Sequence, residues 1–303
     1  MSVFADQPSS CPTIPSMSDP RRSPTLRRRR LSATLRELRA RDGRTAKEIA
    51  EELEWQQSKL THMERNEWKL PRVLDIRALL EVYGVTDERE REELINLARD
   101  GRKRGWWHPY SAMLSEHYST YIGLEAEASE VFAFETIVIP GLLQTEDYAR
   151  ALIEAGPAEI TEEEVERRVQ IRIERQRILT GDDPVRLWAI LDEAALRRPV
   201  GGAEVMEAQK RHLVKMAKLA KVSLQVIPFG AGAHAGAAGA FSIIRFPESR
   251  DTDAVYVDTP AGELFVEDEE EVRRFHVAFQ HLSGVALSPL DSIALIAAEV
   301  GGT

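Results

Sequence analysis

The stretch Arg44–Pro71 constrains the chain most, because its apolar pattern closes only as two short helices with a tight turn between them. Thr45 and Glu48 have the spacing of a capping box, which starts a helix at Thr45. Ala46, Ile49, Ala50 and Leu53 then recur at i, i+3, i+4 and i+7, one buried stripe. The stripe stops at Glu54-Trp55, and a second begins near Gln56 with Leu60 and Met63 inward. Asn66 closes that one, where a left-handed residue is wanted and Asn tolerates the conformation. Gln57, Ser58, Lys59, Thr61 and His62 are left on the outer face.

Those outer residues suit the edges of base pairs. Gln makes paired hydrogen bonds to adenine, Ser and Thr adapt to several bases, and Lys reaches guanine or phosphate. A second helix offered this way is the reading device of a helix-turn-helix. The run Gln56-Gln57-Ser58-Lys59-Leu60-Thr61-His62-Met63-Glu64-Arg65-Asn66 resembles the Xre (Cro/cI-like) family, with His62 where that family commonly has Arg and Asn66 where it has Gly. The resemblance implies a transcriptional regulator that binds a double-stranded DNA operator as a homodimer. Gln57, Ser58, Thr61 and His62 are then the expected base contacts. Arg44, Thr45, Lys47, Gln56, Lys59, Arg65 and Lys69 are the expected contacts to phosphates or the groove edge.

A net charge of −10 argues at first against a nucleic-acid partner, but its distribution reverses the argument. Residues 21–47 hold eleven Lys and Arg against two acidic residues, whereas the acidic excess lies in Glu159–Glu166 and Glu263–Glu271. Phosphate binding follows the local patch rather than the net charge of the chain. The 303 residues suggest two domains. Cys11 stands alone, which excludes a disulfide scaffold within the chain. The absence of a bilayer-length apolar run and of an apolar export segment makes a cytoplasmic, nucleoid-associated location, with no membrane partner, the expectation.

Residues 1–24 are rich in Pro and Ser with no periodic stripe and read as disordered. Arg27–Arg30 reads equally as a solvated helix start or as an arm along DNA phosphates. Leu31, Leu35 and Leu38 mark a first helix ended by Gly43. After the reading helix come a helix from Pro71 to Gly84 and another opened by Thr86, Asp87 and Glu88 and ended by Gly101. Residues 25–100 are therefore expected to form an all-α, five-helix DNA-binding domain. Trp68 fits its core better than the sugar-phosphate backbone. Residues 101–112 read as a linker, with Trp106-Trp107 docking it onto the second domain.

Residues 113–303 read as a mixed α+β domain, so the chain as a whole is α+β rather than doubly wound. Strands are expected at Glu130–Ile139, Val185–Leu191, Val222–Pro228, Phe241–Phe246, Ala254–Asp258 and Glu263–Val266. Helices are expected at Tyr118–Glu127, from Thr145 to Ile153, and at Thr161–Leu179, Glu204–Leu219 and Glu269–Leu282. The segment Pro140-Gly141-Leu142-Leu143-Gln144-Thr145 and the Arg-rich helix after it resemble the C-terminal domain of many Xre regulators of filamentous actinobacteria. That resemblance implies a sensing or partner-binding module of unassigned chemistry. Its alternative form is an antitoxin-like protein that binds a small protein partner encoded nearby, with DNA binding for autoregulation.

Catalysis is not indicated. The seven His are scattered, no His-Glu-x-x-His or Gly-x-Ser-x-Gly is present, and neither a metal nor another cofactor is expected. The Gly/Ala-rich stretch Phe229–Gly239 lies between two strands, which disfavours a phosphate cradle. It reads either as a mobile hairpin loop or as a ligand gate formed by Gly232, His234 and Gly236.

Overall fold

A computed structural model describes residues 23–68, 70–156, 160–259 and 261–300. Cys11 and Lys69 lie outside the described residues. The N-terminal part is helical: α1 (Pro24–Asp42), α2 (Ala46–Glu52), α3 (Gln57–Glu64), α4 (Val73–Val82) and α5 (Glu88–Asp100). Local chemistry sets their ends. Ser23 and Pro24 start α1, and Gly43, left-handed at φ 82°, stops it. Thr45 and Glu48 form the reciprocal capping box of α2. Asp87 accepts from the first turn of α5. Leu31, Leu35, Ile49, Leu60, Met63, Ile76, Leu79, Leu80 and Leu94 make one core. Trp68 packs against it and donates from its indole to Ser32 at 2.9 Å.

The segment after α5 is not a free tether. Trp107 is buried with Ile122, Ala126 and Ile171 of the second unit, so the expected docking is observed. Then follow α6 (Glu116–Glu125), β1 (Glu130–Glu135), α7 (Glu146–Glu154), α8 (Glu162–Arg175), β2 (Arg186–Asp192), α9 (Glu193–Arg197), α10 (Ala203–Met216) and β3 (Val222–Ile227). The chain continues with β4 (Phe241–Arg245), β5 (Ala254–Thr259), β6 (Gly262–Val266), α11 (Glu269–Val285) and α12 (Pro289–Ala298). The described strands form a six-stranded sheet in the order β3-β2-β1-β4-β5-β6. β1, β2 and β3 are parallel, joined by helical crossovers, and β4 to β6 are antiparallel. The chain is thus α+β with a helical N-terminal part, as expected.

The alternation along the strands sorts two cores. Val131, Ala133, Leu187, Ala189 and Leu191 face α6, α7, α10 and α12. Phe132, Phe134, Ile190 and Ile243 face Val272, Phe279 and Leu282 of α11. β1 stops at Glu135 rather than continuing to Ile139, because the paired residues of its neighbours end at Leu191 and Phe241. α12 was not anticipated; Ser288 and Pro289 start it, and it covers the outer edge of β3. No single helix among the described residues is long and apolar enough to cross a membrane; α11 and α12 qualify only together, bent by 64°.

Two expectations need correction. Arg27–Arg30 is neither a solvated helix start nor an arm along DNA. Arg29 pairs with Glu267 at 3.0 Å and Arg30 with Glu248 at 2.8 Å, so the run lies against the second unit. The cause is upstream of the charges: Leu26, fully buried, belongs to the second unit's core and draws the first turn of α1 onto it. The stretch Phe229–Gly239 is no hairpin, because β3 and β4 are separated in the sheet by β2 and β1. It crosses the ends of those two strands.

Candidate nucleic-acid interface

α3 follows α2 through a turn in which Glu54 takes a left-handed conformation at φ 55°. That position would suit Gly or Asn better, and Glu accepts it at some strain. At the far end Asn66 is left-handed at φ 58°, as its place in the sequence demanded. Leu60 and Met63 are buried and anchor α3 to the core. Glu64, nearly buried, receives both arms of the Arg39 guanidinium from α1 at 2.6 and 2.9 Å. The pair ties the C-terminal turn of α3 to α1.

The outer face is open. Gln56, Gln57, Ser58, His62 and Arg65 are exposed, and Thr61 is half-buried with its hydroxyl donating to the Gln57 carbonyl at 3.1 Å. Gln57 and Ser58 lie in the first turn of α3, with no side chain capping the helix start. His62 Nε2 lies 3.5 Å from Glu67. Lys59 is less free than its type suggests: its ammonium sits 2.9 Å from Asp75 and 3.5 Å from the centre of the Trp55 ring.

The other expected contact residues divide. Thr45 is occupied by its capping box, with its hydroxyl donating to Glu48 at 2.7 Å. Lys47 is exposed, in a loose pair with Glu51 at 3.8 Å. Arg44 is spent on its own domain: it pairs with Asp42 and Glu52 and donates to the Val82 carbonyl at 2.9 Å. The same contact holds the Asp42 carboxyl below the usual carboxylate range. A basic feature that the sequence reading missed lies at the start of α4. Arg72, Arg99 and Arg102 line a groove of about 390 Å³ with Val73 and Leu74. Arg99 and Arg102 were assigned to a helix end and a linker, and only the fold brings them beside Arg72.

In the second unit, the Pro140–Thr145 segment is held by buried amides. Gln144 donates to the Ile139 carbonyl at 2.6 Å and accepts from Arg172 at 2.9 Å. Gln209 donates to the Leu143 carbonyl and accepts from the Thr145 amide, both at 2.7 Å. Deeper still, Arg175 forms a two-armed pair with Glu125 at 2.8 Å, with both side chains almost wholly buried. The periodicity of α8 gave no sign that this Arg turns inward.

Of Gly232, His234 and Gly236, the last two are in contact and His234 lines a groove. His234 Nε2 lies 3.3 Å from Asp192 at the end of β2, and its Nδ1 accepts from the Gly236 amide at 3.2 Å. A methyl group on Gly236 would collide with the Phe134 ring, so only Gly fits. Gly232 is exposed and left-handed at φ 70°. Ala233, His234 and Ala235 with His281, Gly284 and Val285 of α11 line a groove of about 540 Å³.

The N-terminal geometry is that of a helix-turn-helix, and residues 30–94 match the family model described as a helix-turn-helix domain. Residues 118–298 match the family described as a domain of unknown function, DUF5753; this is more than half of the 303 residues, and the chain belongs to that family. No curated protein and no solved structure matches the chain.

Proposed function

We propose that the protein is a sequence-specific DNA-binding transcriptional regulator of Xre type. The observation that carries the reading is the division of α3. Leu60 and Met63 root it in the core while Gln57 and Ser58 stand outward in its first turn and His62 stands outward in its last. A helix held this way enters the major groove with its first turn on the base edges. In this reading Gln57, Ser58, Thr61 and His62 contact bases. Gln56, Lys47 and Arg65 reach phosphates, and Lys59 joins them by giving up Asp75. Arg44 keeps its internal partners. The protein acts in the cytoplasm as a homodimer on a palindromic operator. Selection of bound duplexes from a random pool tests this. Inverted repeats with half-sites about 34 Å apart are expected, and an unenriched pool overturns the reading.

The C-terminal domain senses a ligand or holds a partner. The groove beside His234 supports this assignment, with Gly232, His234 and Gly236 as its gate. The antitoxin-like alternative draws on exposed apolar side chains: Phe229, Val277, Val285 and Leu290 offer a surface to a small protein partner.

A further inference from the structure

α1 is gripped at both ends by different parts of the molecule. Near its start, Leu26 is buried in the second unit's core, and Gly123 of α6 approaches Thr25 so closely that no side chain fits between them. One turn on, Arg30 binds both oxygens of Asp251 at 2.8 and 2.9 Å, and the two side chains are only 6% and 5% exposed. Arg30 also reaches Glu248 at 2.8 Å, and Arg29 donates to the Thr252 carbonyl at 2.8 Å. All three partners lie in the connection between β4 and β5. Near its other end, α1 carries Arg39, which holds Glu64 of α3.

Arg30 and Arg39 are nine residues apart, which on an α-helix is two and a half turns, about 14 Å of rise and opposite faces. We propose that α1 is the link through which the C-terminal domain sets the pose of the reading helix. Arg30 and Asp251 are then positioning residues for DNA reading. The proposal rests on α3 being the DNA-reading helix. A shift of the β4–β5 connection carries Arg30 with it, because a nearly dry charge pair is not broken cheaply. The uninterrupted helix transmits the shift as a tilt, and the Arg39–Glu64 clamp delivers it to α3. A further cross-contact, Arg250 with Glu93 at 2.8 Å, is half-exposed and serves as the comparison.

The test uses the full chain and two readouts. Asp251→Asn keeps the shape and removes the charge, Asp251→Glu keeps the charge, and Glu93→Gln breaks the exposed contact without touching Glu248, which Arg250 also pairs with at 2.7 Å. Hydrogen exchange of the α3 amides is measured together with affinity for a selected operator and for an unrelated duplex. Asp251→Asn is expected to speed α3 exchange about tenfold and to reduce discrimination between the duplexes, with affinity for the unrelated one unchanged. Asp251→Glu restores most of both, and Glu93→Gln changes neither. A merely structural role would weaken binding to both duplexes alike and speed exchange throughout α1 to α5. That outcome overturns the proposal, as does loosening of the β4–β5 connection while α3 stays protected. If no duplex binds, the DNA reading fails while exchange still decides the coupling. Should Asp251→Asn not fold, Glu248→Gln, whose carboxylate is 43% exposed, carries the same test.

Discussion

Glu135, the last residue of β1, gives the sharpest prediction about stability. It falls on the sheet face that Val131 and Ala133 share and is half-buried there. Burial pushes its carboxyl up to about 8, against an opposing pull from Arg172 and with a smaller push from Asp258. Between about 4.5 and 8 the folded chain therefore holds a proton that the unfolded chain has released. Folding stability must fall as pH rises through that window and level off above it. The full shift corresponds to at most about 5 kcal/mol. Because Glu135 keeps some contact with solvent, about 2–4 kcal/mol is the working figure. Glu135→Gln removes this penalty. Urea unfolding of parent and variant at pH 5 and pH 9 is the assay. The variant should gain over the parent by about 2–4 kcal/mol between the two pH values. A gap that is the same at both pH values would show that the Glu135 carboxyl ionises normally in the fold.

Three further outcomes are expected. Arg175→Met strands the buried Glu125 carboxylate and should cost about 3–5 kcal/mol in chemical denaturation, whereas the pair is dispensable if the loss stays near that of a surface change. Gly236→Ala pushes a methyl into the Phe134 ring and should destabilise by about 1–3 kcal/mol; adding Phe134→Leu should recover part of that, and no recovery means the collision lies elsewhere. Arg65→Ala should weaken all duplexes about equally and lower the salt-dependence slope by about 1, so a loss confined to one operator base would reassign Arg65 to base reading.

The sequence was most legible where local chemistry sets the structure. Thr45 with Glu48, Asn66 and the Leu60–Met63 stripe depend on neighbours a few residues away, and each stands where expected. The strands of the second unit were legible for the same reason, since alternation and β-branching are written along one segment. Long-range pairing was not. Whether Phe229–Gly239 is a hairpin depends on the order of strands across the sheet, which no local pattern encodes. Arg27–Arg30 was misjudged because a run of Arg looks the same whether its partners are phosphates or carboxylates far along the chain. Of the carboxylates that hold that run, Glu267 lies in a segment read only as acidic charge, while Glu248 and Asp251 sit in the connection between two strands, where no local pattern marks a partner. α12 carries its own local signals, the Ser288 cap, Pro289 in the first turn and Asp291 beside it.

Base-by-base affinity of the parent and Gln57→Ala, measured by fluorescence anisotropy on a selected operator and its single-base variants, tests the central claim most directly. The account predicts a loss of about 1–3 kcal/mol for Gln57→Ala on the parent operator, and no further loss when the base pair beneath residue 57 is changed. Equal affinity of parent and Gln57→Ala across every operator variant would contradict it.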